Sequence, residues 1–349
     1  MKSYFIPFII GLLLCLLFSL ISYSIQDVSD FHNYRLIIQN IIANGIDFDV
    51  RGGEFGFHLL VYLLTKIIGS DERVVHYFVL VLTNFILFTA LFRVNPKNAL
   101  FVFITAQIYY LLMITPFLTR QLLSFSLILL SISFLRYRYL IWTLAFFTHF
   151  SALIPILGLL CANRLFKQNV FFVLPILISI ILSFTLSVDF FHFLVDRSLV
   201  PSFLEPKITF YLRIFEDSGF DKLALLFVIW IFLLLYFYLG NKLDYVAKNV
   251  ASIYFTSALL TLSTINIPIL PTRLGFPLYY CLPIIFIVIP FSFNYMAIKK
   301  WLYVFTPCVF VLIISLYRVY INDFAVPWLL LAERNILMSP IIDYFTYFI

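Results

Sequence analysis

Residues 223–239 read LALLFVIWIFLLLYFYL and contain no charged side chain. The run is apolar on every face, which excludes the alternating polarity of a membrane β-strand. Similar runs recur along the chain, and about 20 helical residues cross about 30 Å of hydrocarbon. Hydrophobic residues make up 63% of the chain and charged residues 11%, with a mean hydropathy of +1.06, which is more apolar surface than a soluble core uses. The sequence therefore predicts an all-α, polytopic transmembrane helical bundle.

Eleven apolar segments predict about nine to eleven helices, re-entrant segments included, in one integral membrane domain over residues 1–349. The first follows Lys2 but is too long for a secretory signal and has no small-residue cleavage site, so we expect an uncleaved span. Two longer polar connections, residues 26–54 and 189–222, are predicted to be external loops. The segments are residues 4–25, 55–68, 74–92, 99–117, 120–135, 139–162, 168–188, 223–240, 249–266, 274–293 and 301–321.

Two of these segments are predicted not to cross simply. Residues 55–68 are short and follow a polar loop, which favours a re-entrant or surface helix. Residues 139–162 carry His149 and Ser151 at their middle, which favours a pair of half-helices. All acids but Asp244 then face outward, and the basic clusters face the cytoplasm as the positive-inside rule requires. These clusters are Arg93 and Lys97, Arg136 and Arg138, Arg164 and Lys167, Lys242 and Lys248, and Lys299 and Lys300.

Three arginines are candidate ligands for a pyrophosphate. Arg120, in TPFLTRQLLSFSL, and Arg273, in PTRLGFPLYY, each begin a helix on the predicted outer side, and Arg213 lies in the loop phrase ITFYLRIF. Guanidinium groups bind phosphate bidentately, and helix N-termini add positive potential. The alternative is that Arg120 and Arg273 reach lipid headgroups and that aromatic residues beside Arg213, Tyr211 among them, form a membrane-interface belt.

Carboxylates of the first external loop are candidates for the general base of a transfer reaction. Asp30 and Glu54 lie in QDVSDFHNYRLIIQN and DVRGGEFGFHLL, and a well-placed carboxylate deprotonates an attacking hydroxyl. The alternative is that both are solvated loop acids. His149 lies at the predicted helix break, where imidazole binds a substrate or satisfies the broken backbone. The other histidines lack ligand spacing, so no metal and no cofactor is predicted.

The order of several motifs resembles the EpsG family of polysaccharide polymerases over about residues 27–280. TRQLLSFSLILL followed by FFTHFSALIPI resembles the family's Arg-Gln helix and Phe-His-x-Ser-Ala motif, the most specific part of the likeness. DFHNY is similar to its Asp-x-x-x-Tyr, and GGEFGFHLL to its Gly-x-Glu-Pro-x-Phe, with Phe55 in place of the proline. PTRLGFPLYY is similar to its late arginine before an aromatic-rich helix.

The resemblance implies a Wzy-type polymerase, a metal-independent membrane glycosyltransferase of the bacterial cytoplasmic membrane. Such enzymes join undecaprenyl-pyrophosphate-linked repeat units on the outer face, in O-antigen, capsule or exopolysaccharide biosynthesis. Carried over by position, Arg120 and Arg273 bind the donor pyrophosphate, Gln121 of the Arg-Gln pair binds substrate beside them, and His149 lies in the same cavity. Asp30, Tyr34 and Glu54 border the acceptor sugar, with Asp30 the first and Glu54 the second choice of base.

The expected partners are lipid-linked oligosaccharides, membrane lipid, a chain-length regulator and a flippase, and no nucleic acid. Two other classes stay open. A flippase for the same lipid-linked sugars also needs an arginine-lined cavity, although no internal repeat typical of transporters is visible. An acyltransferase of envelope modification uses a mid-membrane histidine as base, although no second catalytic group accompanies His149 in the sequence.

Overall fold

The structure, a computed structural model, describes residues 4–24, 30–46, 55–112, 119–165, 170–197, 199, 209, 245–267, 274–278, 280, 281 and 284. Within these ranges the chain is helical, with turns between helices and no β-strand. The prediction of an all-α class is therefore confirmed for the described part. The described chain divides into two compact units, one within residues 4–152 and the other from Leu153 onward.

The first unit contains seven α-helices within its described residues. A 3-10 turn, Leu135–Tyr137, precedes the last of them, and a second, Phe150–Ala152, follows His149. The helices are α1 (Phe5–Ser24), α2 (Asp30–Asn44), α3 (Phe55–Ile68), α4 (Glu72–Val94), α5 (Ala99–Leu112), α6 (Thr119–Ser133) and α7 (Arg138–Thr148).

The second unit contains α8 (Leu153–Leu165), α9 (Val170–Thr185), α10 (Val188–Asp196) and α11 (Tyr245–Ser263). Helices α8 and α11 approach closely because Gly158 has no side chain. A Cβ atom there would lie 2.7 Å from the Cα of Ile253, so the two backbones are packed through a small residue, as in many membrane helix pairs.

The direction of the helices in the first unit follows from side-chain contacts between them. Phe8 packs on Phe92 near the C-terminus of α4, whereas Tyr23 packs on His76 near its N-terminus, so α1 and α4 are antiparallel. Leu123 packs with Val75 and Val79, and Arg93 stacks on Phe134 at 4.2 Å, so α4 and α6 are parallel. The bundle therefore has an Arg120 end, where α4 and α6 begin, and an Arg93 end, where they finish.

A chain of buried polar side chains joins α1, α4 and α5. Gln107 Nε2 donates to Asn84 Oδ1, and Asn84 Nδ2 donates to Ser19 Oγ, both at 2.8 Å. Ser19 Oγ in turn donates to the carbonyl of Cys15 at 2.6 Å. Buried polar groups favour one packing register because each must find its partner, so these bonds fix how the three helices align.

We expect Asn84→Leu to lower the thermal unfolding midpoint of the protein in detergent. The change removes two hydrogen bonds and leaves Gln107 Nε2 and Ser19 Oγ buried without this partner, at a cost of about 1 to 3 kcal/mol. Thr143→Val is the matched control, since Thr143 is exposed and bonds only the carbonyl of Tyr139 in its own turn. Equal midpoints for Asn84→Leu and the wild type would show that the buried network adds no stability.

The helix boundaries bear on the two segments predicted not to cross. Segment 55–68 forms α3, and both termini of this helix lie on the side of the bundle that carries Arg120. Phe57 is near Arg120, and Ile68 leads into Asp71, the N-cap of α4. Segment 139–162 is two helices, α7 and α8, separated at His149, whose backbone is extended (φ −161°, ψ 133°). The break at His149 agrees with the predicted pair of half-helices, and the position of α3 is compatible with a re-entrant or surface helix; that α3 does not cross a membrane stays a prediction.

Both polar connections that were predicted to be external loops contain helical residues. Residues 26–54, expected to be an external loop, contain the 15-residue helix α2, and residues 189–222 contain all of α10 except its first residue, Val188. The sequence did carry a signal for α2, because Tyr34, Ile38 and Ile41 recur at i, i+4 and i+7 and form its buried face; the polar residues between them made the segment look like a loop. Segments 223–240 and 301–321 lie outside the described residues.

Two of the described helices are long and apolar enough to cross a membrane by length and composition, Phe5–Tyr23 and Glu72–Val94. Shorter apolar helices accompany them, among them α3, α6 and part of α9. A buried core helix or an N-terminal signal meets the same criterion, so helix length alone does not decide whether the bundle lies in a membrane.

Candidate active site

Arg120 lies in the first turn of α6, with its guanidinium over two aromatic rings. Its Cζ atom is 5.2 Å from the ring centre of Tyr34 and 5.7 Å from that of Phe57. The two rings are themselves 5.9 Å apart. Cations within about 6 Å of a ring centre are attracted to its face. Helices α2, α3 and α6 therefore meet at Arg120, whose Nε atom is buried.

His149 and Ser151 form a compact hydrogen-bonded turn beside this arginine. The backbone N–H of Ser151 donates to His149 Nδ1 at 3.1 Å, and Ser151 Oγ lies 2.7 Å from the same nitrogen. A ring nitrogen that accepts from a backbone N–H carries no proton of its own. With Nδ1 assigned as this acceptor, the ring proton is placed on Nε2.

The protonated Nε2 of His149 faces the side-chain amide of Gln121. The two side-chain nitrogen atoms are 3.5 Å apart, and Gln121 Oε1 is buried without a hydrogen-bond partner in the described residues. The oxygen and nitrogen of an amide are assigned from hydrogen bonding, so the rotated amide lets Oε1 accept from His149 Nε2–H. In this arrangement His149 offers a hydrogen-bond donor next to the residue that follows Arg120.

His76 and Tyr23 stand behind Tyr34 and hold it in place. The His76 ring is 6.1 Å from the ring of Tyr34 and 5.8 Å from that of Tyr23, both edge to face. His76 is 1% exposed and Tyr23 is fully buried. Edge-to-face pairs of this kind contribute about 0.5 to 1.5 kcal/mol each. Arg120 therefore rests on a ring that is itself fixed by two further rings.

Local packing explains why these residues meet. Ser124 Oγ donates to the carbonyl of Ala145 at 3.0 Å, and Trp142 Nε1 donates to Ser131 Oγ at 2.8 Å, so α7 runs antiparallel to α6 and delivers His149 to Gln121. Gly56 allows α3 to touch α7, because a Cβ atom there would lie 2.9 Å from the carbonyl carbon of Phe147.

The structure brings together four of the residues predicted from sequence: Tyr34, Arg120, Gln121 and His149. Asp30 is the first residue of α2, one turn before Tyr34, and its side chain is outside the described part. Glu54, Arg213, Tyr211 and Arg273 also lie outside the described residues, so their roles stay predictions.

Sequence reasoning missed Phe57, His76, Tyr23 and Ser151 as contributors to the site. Phe57 and Ser151 stand within the quoted motifs, as the final Phe of GGEFGF and the Ser of HFSA, so the motifs themselves were the available signal. His76 and Tyr23 lie in apolar helices with no local signature. Among the described residues no group of three or more His, Cys, Asp and Glu side chains is placed to hold a metal ion.

Comparison with known protein families shows which family this chain belongs to. The sequence matches the EpsG family over residues 5–330. The chain belongs to the EpsG family. EpsG proteins are Wzy-type polymerases and glycosyltransferases for surface polysaccharide, and the match extends beyond residues 27–280, where the motifs lie. No curated protein and no solved structure matches the chain.

Proposed function

We propose that this EpsG protein polymerises lipid-linked oligosaccharide repeat units in the bacterial cytoplasmic membrane. It transfers the glycan of one undecaprenyl-pyrophosphate carrier to the terminal sugar of a second, in O-antigen, capsule or exopolysaccharide biosynthesis. The observation that carries the proposal is the Arg120 guanidinium, fixed on Tyr34 and Phe57 beside Gln121 and His149 in a chain of this family.

The distribution of polar and apolar side chains supports a membrane location. Ile6 and Leu13 of α1 and Phe184 of α9 are 67%, 61% and 82% exposed, whereas Asn84 and Gln107 are buried. A soluble protein buries such apolar side chains and exposes the polar ones. Lipid contact explains the reverse arrangement, because hydrocarbon solvates apolar surfaces and leaves polar groups to pair inside.

The basic clusters of the whole sequence support an outward-facing site. In the first unit the Arg93 end carries Arg93, Lys97, Arg136 and Arg138, and no acid of the described residues lies there. At the Arg120 end Arg35 and Arg73 pair with Glu72 and Asp71, and Lys66 and Arg120 lie on the same side. The described basic residues are therefore equal in number at the two ends, and the proposed cytoplasmic placement of the Arg93 end rests on the positive-inside rule applied to the whole sequence. Arg120 then faces outward, where lipid-linked units are polymerised.

The proposed chemistry is transfer to a hydroxyl with pyrophosphate as the leaving group. The acceptor oxygen bonds to the anomeric carbon of the donor, the bond from that carbon to the pyrophosphate oxygen breaks, and the hydroxyl proton passes to a base. Negative charge develops on the departing pyrophosphate, and a fixed guanidinium stabilises it without reorganisation. Arg120 supplies this stabilisation, with His149 Nε2–H and Gln121 as hydrogen-bonding groups beside it.

The remaining roles extend this proposal to residues predicted from sequence. Asp30, one turn before Tyr34 in α2, is the first candidate for the base and Glu54 the second. Arg273 and Arg213 add positive charge for the pyrophosphate, and Tyr211 contacts the glycan. A chain-length regulator and a flippase are the expected protein partners.

Deletion of the gene in a strain whose surface polysaccharide forms a ladder on a gel tests the proposal. We expect the ladder to disappear while a single repeat unit stays attached, because polymerisation fails after export. Loss of every externally displayed unit would instead favour a flippase. An unchanged ladder would contradict both functions.

A further inference from the structure

A polar cleft opens at the Arg120 end, between α2 and the start of α4. It encloses about 480 Å³, within the range of roughly 300 to 1,000 Å³ usual for small-ligand sites. Apart from Ile42, the described residues that line it are polar or charged. They are Arg35, Gln39, Ser70, Asp71, Glu72 and Arg73.

The charges in the cleft are balanced and held in place. Arg35 donates to Glu72 Oε1 through Nη2 at 2.6 Å and through Nε at 3.2 Å. Asp71 accepts from the backbone N–H groups of Arg73 and Val74 as the N-cap of α4. Among the described lining residues two arginines therefore face two carboxylates, so their formal charges balance and they do not favour an anion.

Such a lining fits a ligand rich in hydroxyl groups. Guanidinium, carboxylate and carboxamide groups present fixed donors and acceptors side by side, which match neighbouring hydroxyls of a sugar ring. A hydroxyl donates to Glu72 or Asp71 while it accepts from Arg35, Arg73 or the amide of Gln39. The combination favours an uncharged saccharide over a phosphate.

The cleft lies next to the Arg120 site but farther out along the bundle. Arg35 lines the cleft, while the preceding residue, Tyr34, supports the guanidinium of Arg120. On α4, Glu72 lines the cleft and His76 contacts Tyr34, four residues or about 6 Å deeper into the helix. A ligand that places its pyrophosphate at Arg120 therefore has its sugars at the level of the cleft.

We infer that this cleft binds the uncharged sugar residues of the lipid-linked oligosaccharide, separately from the pyrophosphate held at Arg120. The inference rests on the proposed function for the identity of the ligand. Gln39 and Glu72 are the residues that test it best. Gln39 is exposed and supports no helix packing, and Glu72→Gln keeps the shape of the side chain while removing its charge.

Binding to the full-length protein in lipid nanodiscs measures the effect, with two separate probes. The first is the repeat-unit oligosaccharide released by mild acid from the strain's own lipid-linked pool, and the second is inorganic pyrophosphate. We expect Gln39→Ala to raise the Kd for the oligosaccharide about 3- to 10-fold and Glu72→Gln about 10-fold or more, through lost hydrogen bonds. The Kd for pyrophosphate stays at the wild-type value in Gln39→Ala and does not rise in Glu72→Gln, because that change frees Arg35 of its carboxylate partner and adds positive charge near the site.

Asn40→Ala is the matched control, because Asn40 is exposed on the same helix and does not line the cleft. A wild-type Kd for the oligosaccharide in both cleft variants would overturn the inference, as would an equal loss in Asn40→Ala or a parallel loss of pyrophosphate binding in Gln39→Ala. These outcomes differ from failure of the proposed function, in which deletion of the gene leaves the polysaccharide ladder intact.

Discussion

Arg120→Ala is expected to reduce polymerisation about 100- to 1,000-fold, the usual cost of removing one group that stabilises developing negative charge. The guanidinium lies on Tyr34 and Phe57, so the alanine variant loses the cation and leaves its aromatic support intact. The measurement is the polysaccharide ladder of a deletion strain that carries the variant, at a protein level matched to the wild type by immunoblot. We expect single repeat units and no ladder.

Two further variants make this result specific. Arg120→Lys keeps the charge but not the planar fork that binds phosphate bidentately, so we expect partial activity. Arg164→Ala removes an exposed arginine of α8 and is expected to leave the ladder unchanged. A normal ladder from Arg120→Ala at normal protein level would exclude Arg120 from the reaction.

His149→Asn and His149→Ala are expected to separate a substrate role of His149 from a structural one. The backbone N–H of Ser151 donates to His149 Nδ1, and an asparagine oxygen accepts from the N–H two residues ahead in the same way. His149→Asn therefore preserves the turn between α7 and α8, while it removes the Nε2–H donor. We expect it to fold normally and to polymerise about 10- to 100-fold more slowly, the effect of one hydrogen bond to a charged group.

His149→Ala removes both functions of the ring, so its yield and thermal midpoint in detergent are expected to fall as well as its activity. The informative comparison is the ladder at equal protein level together with the two midpoints. If His149→Asn gives a wild-type ladder, the histidine only shapes the helix break, which was the alternative that the sequence left open.

The sequence predicted the fold most accurately for segments whose structure follows from their length and from the polarity of their residues. The short segment 55–68 and the break at His149 were visible from length and from a polar pair within an apolar run, and the structure has a helix at Phe55–Ile68 and an extended backbone at His149. Helix α2 was not predicted. Its 15 residues are rich in polar side chains, and their helical form is stabilised by packing of Ile38 and Ile41 on α3 and α4. The spacing of Tyr34, Ile38 and Ile41 indicates one apolar face, but it does not show which helices cover that face.

Some residues of the candidate site were likewise predicted from sequence, whereas others were found only in the structure. Arg120, Gln121 and His149 were identified from motifs, because those residue types suit binding of an anionic group. The support of Arg120 by Phe57, and of Tyr34 by His76 and Tyr23, joins residues from five helices. Histidine and tyrosine within apolar helices look alike in sequence whether they pack or bind, so these roles needed the three-dimensional arrangement.

The sequence by itself determined the all-α class, the interrupted segment at His149 and the separation of basic clusters from acids along the chain. Each of these depends on how a stretch of residues is solvated, which composition and spacing record directly. Only the tertiary structure decided that α2 brings Tyr34 under Arg120, that Nδ1 of His149 meets the backbone N–H of Ser151, and that Arg35 and Glu72 line a polar cleft. The first and third of these features depend on contacts between residues far apart in the chain, and such contacts are set by side-chain packing.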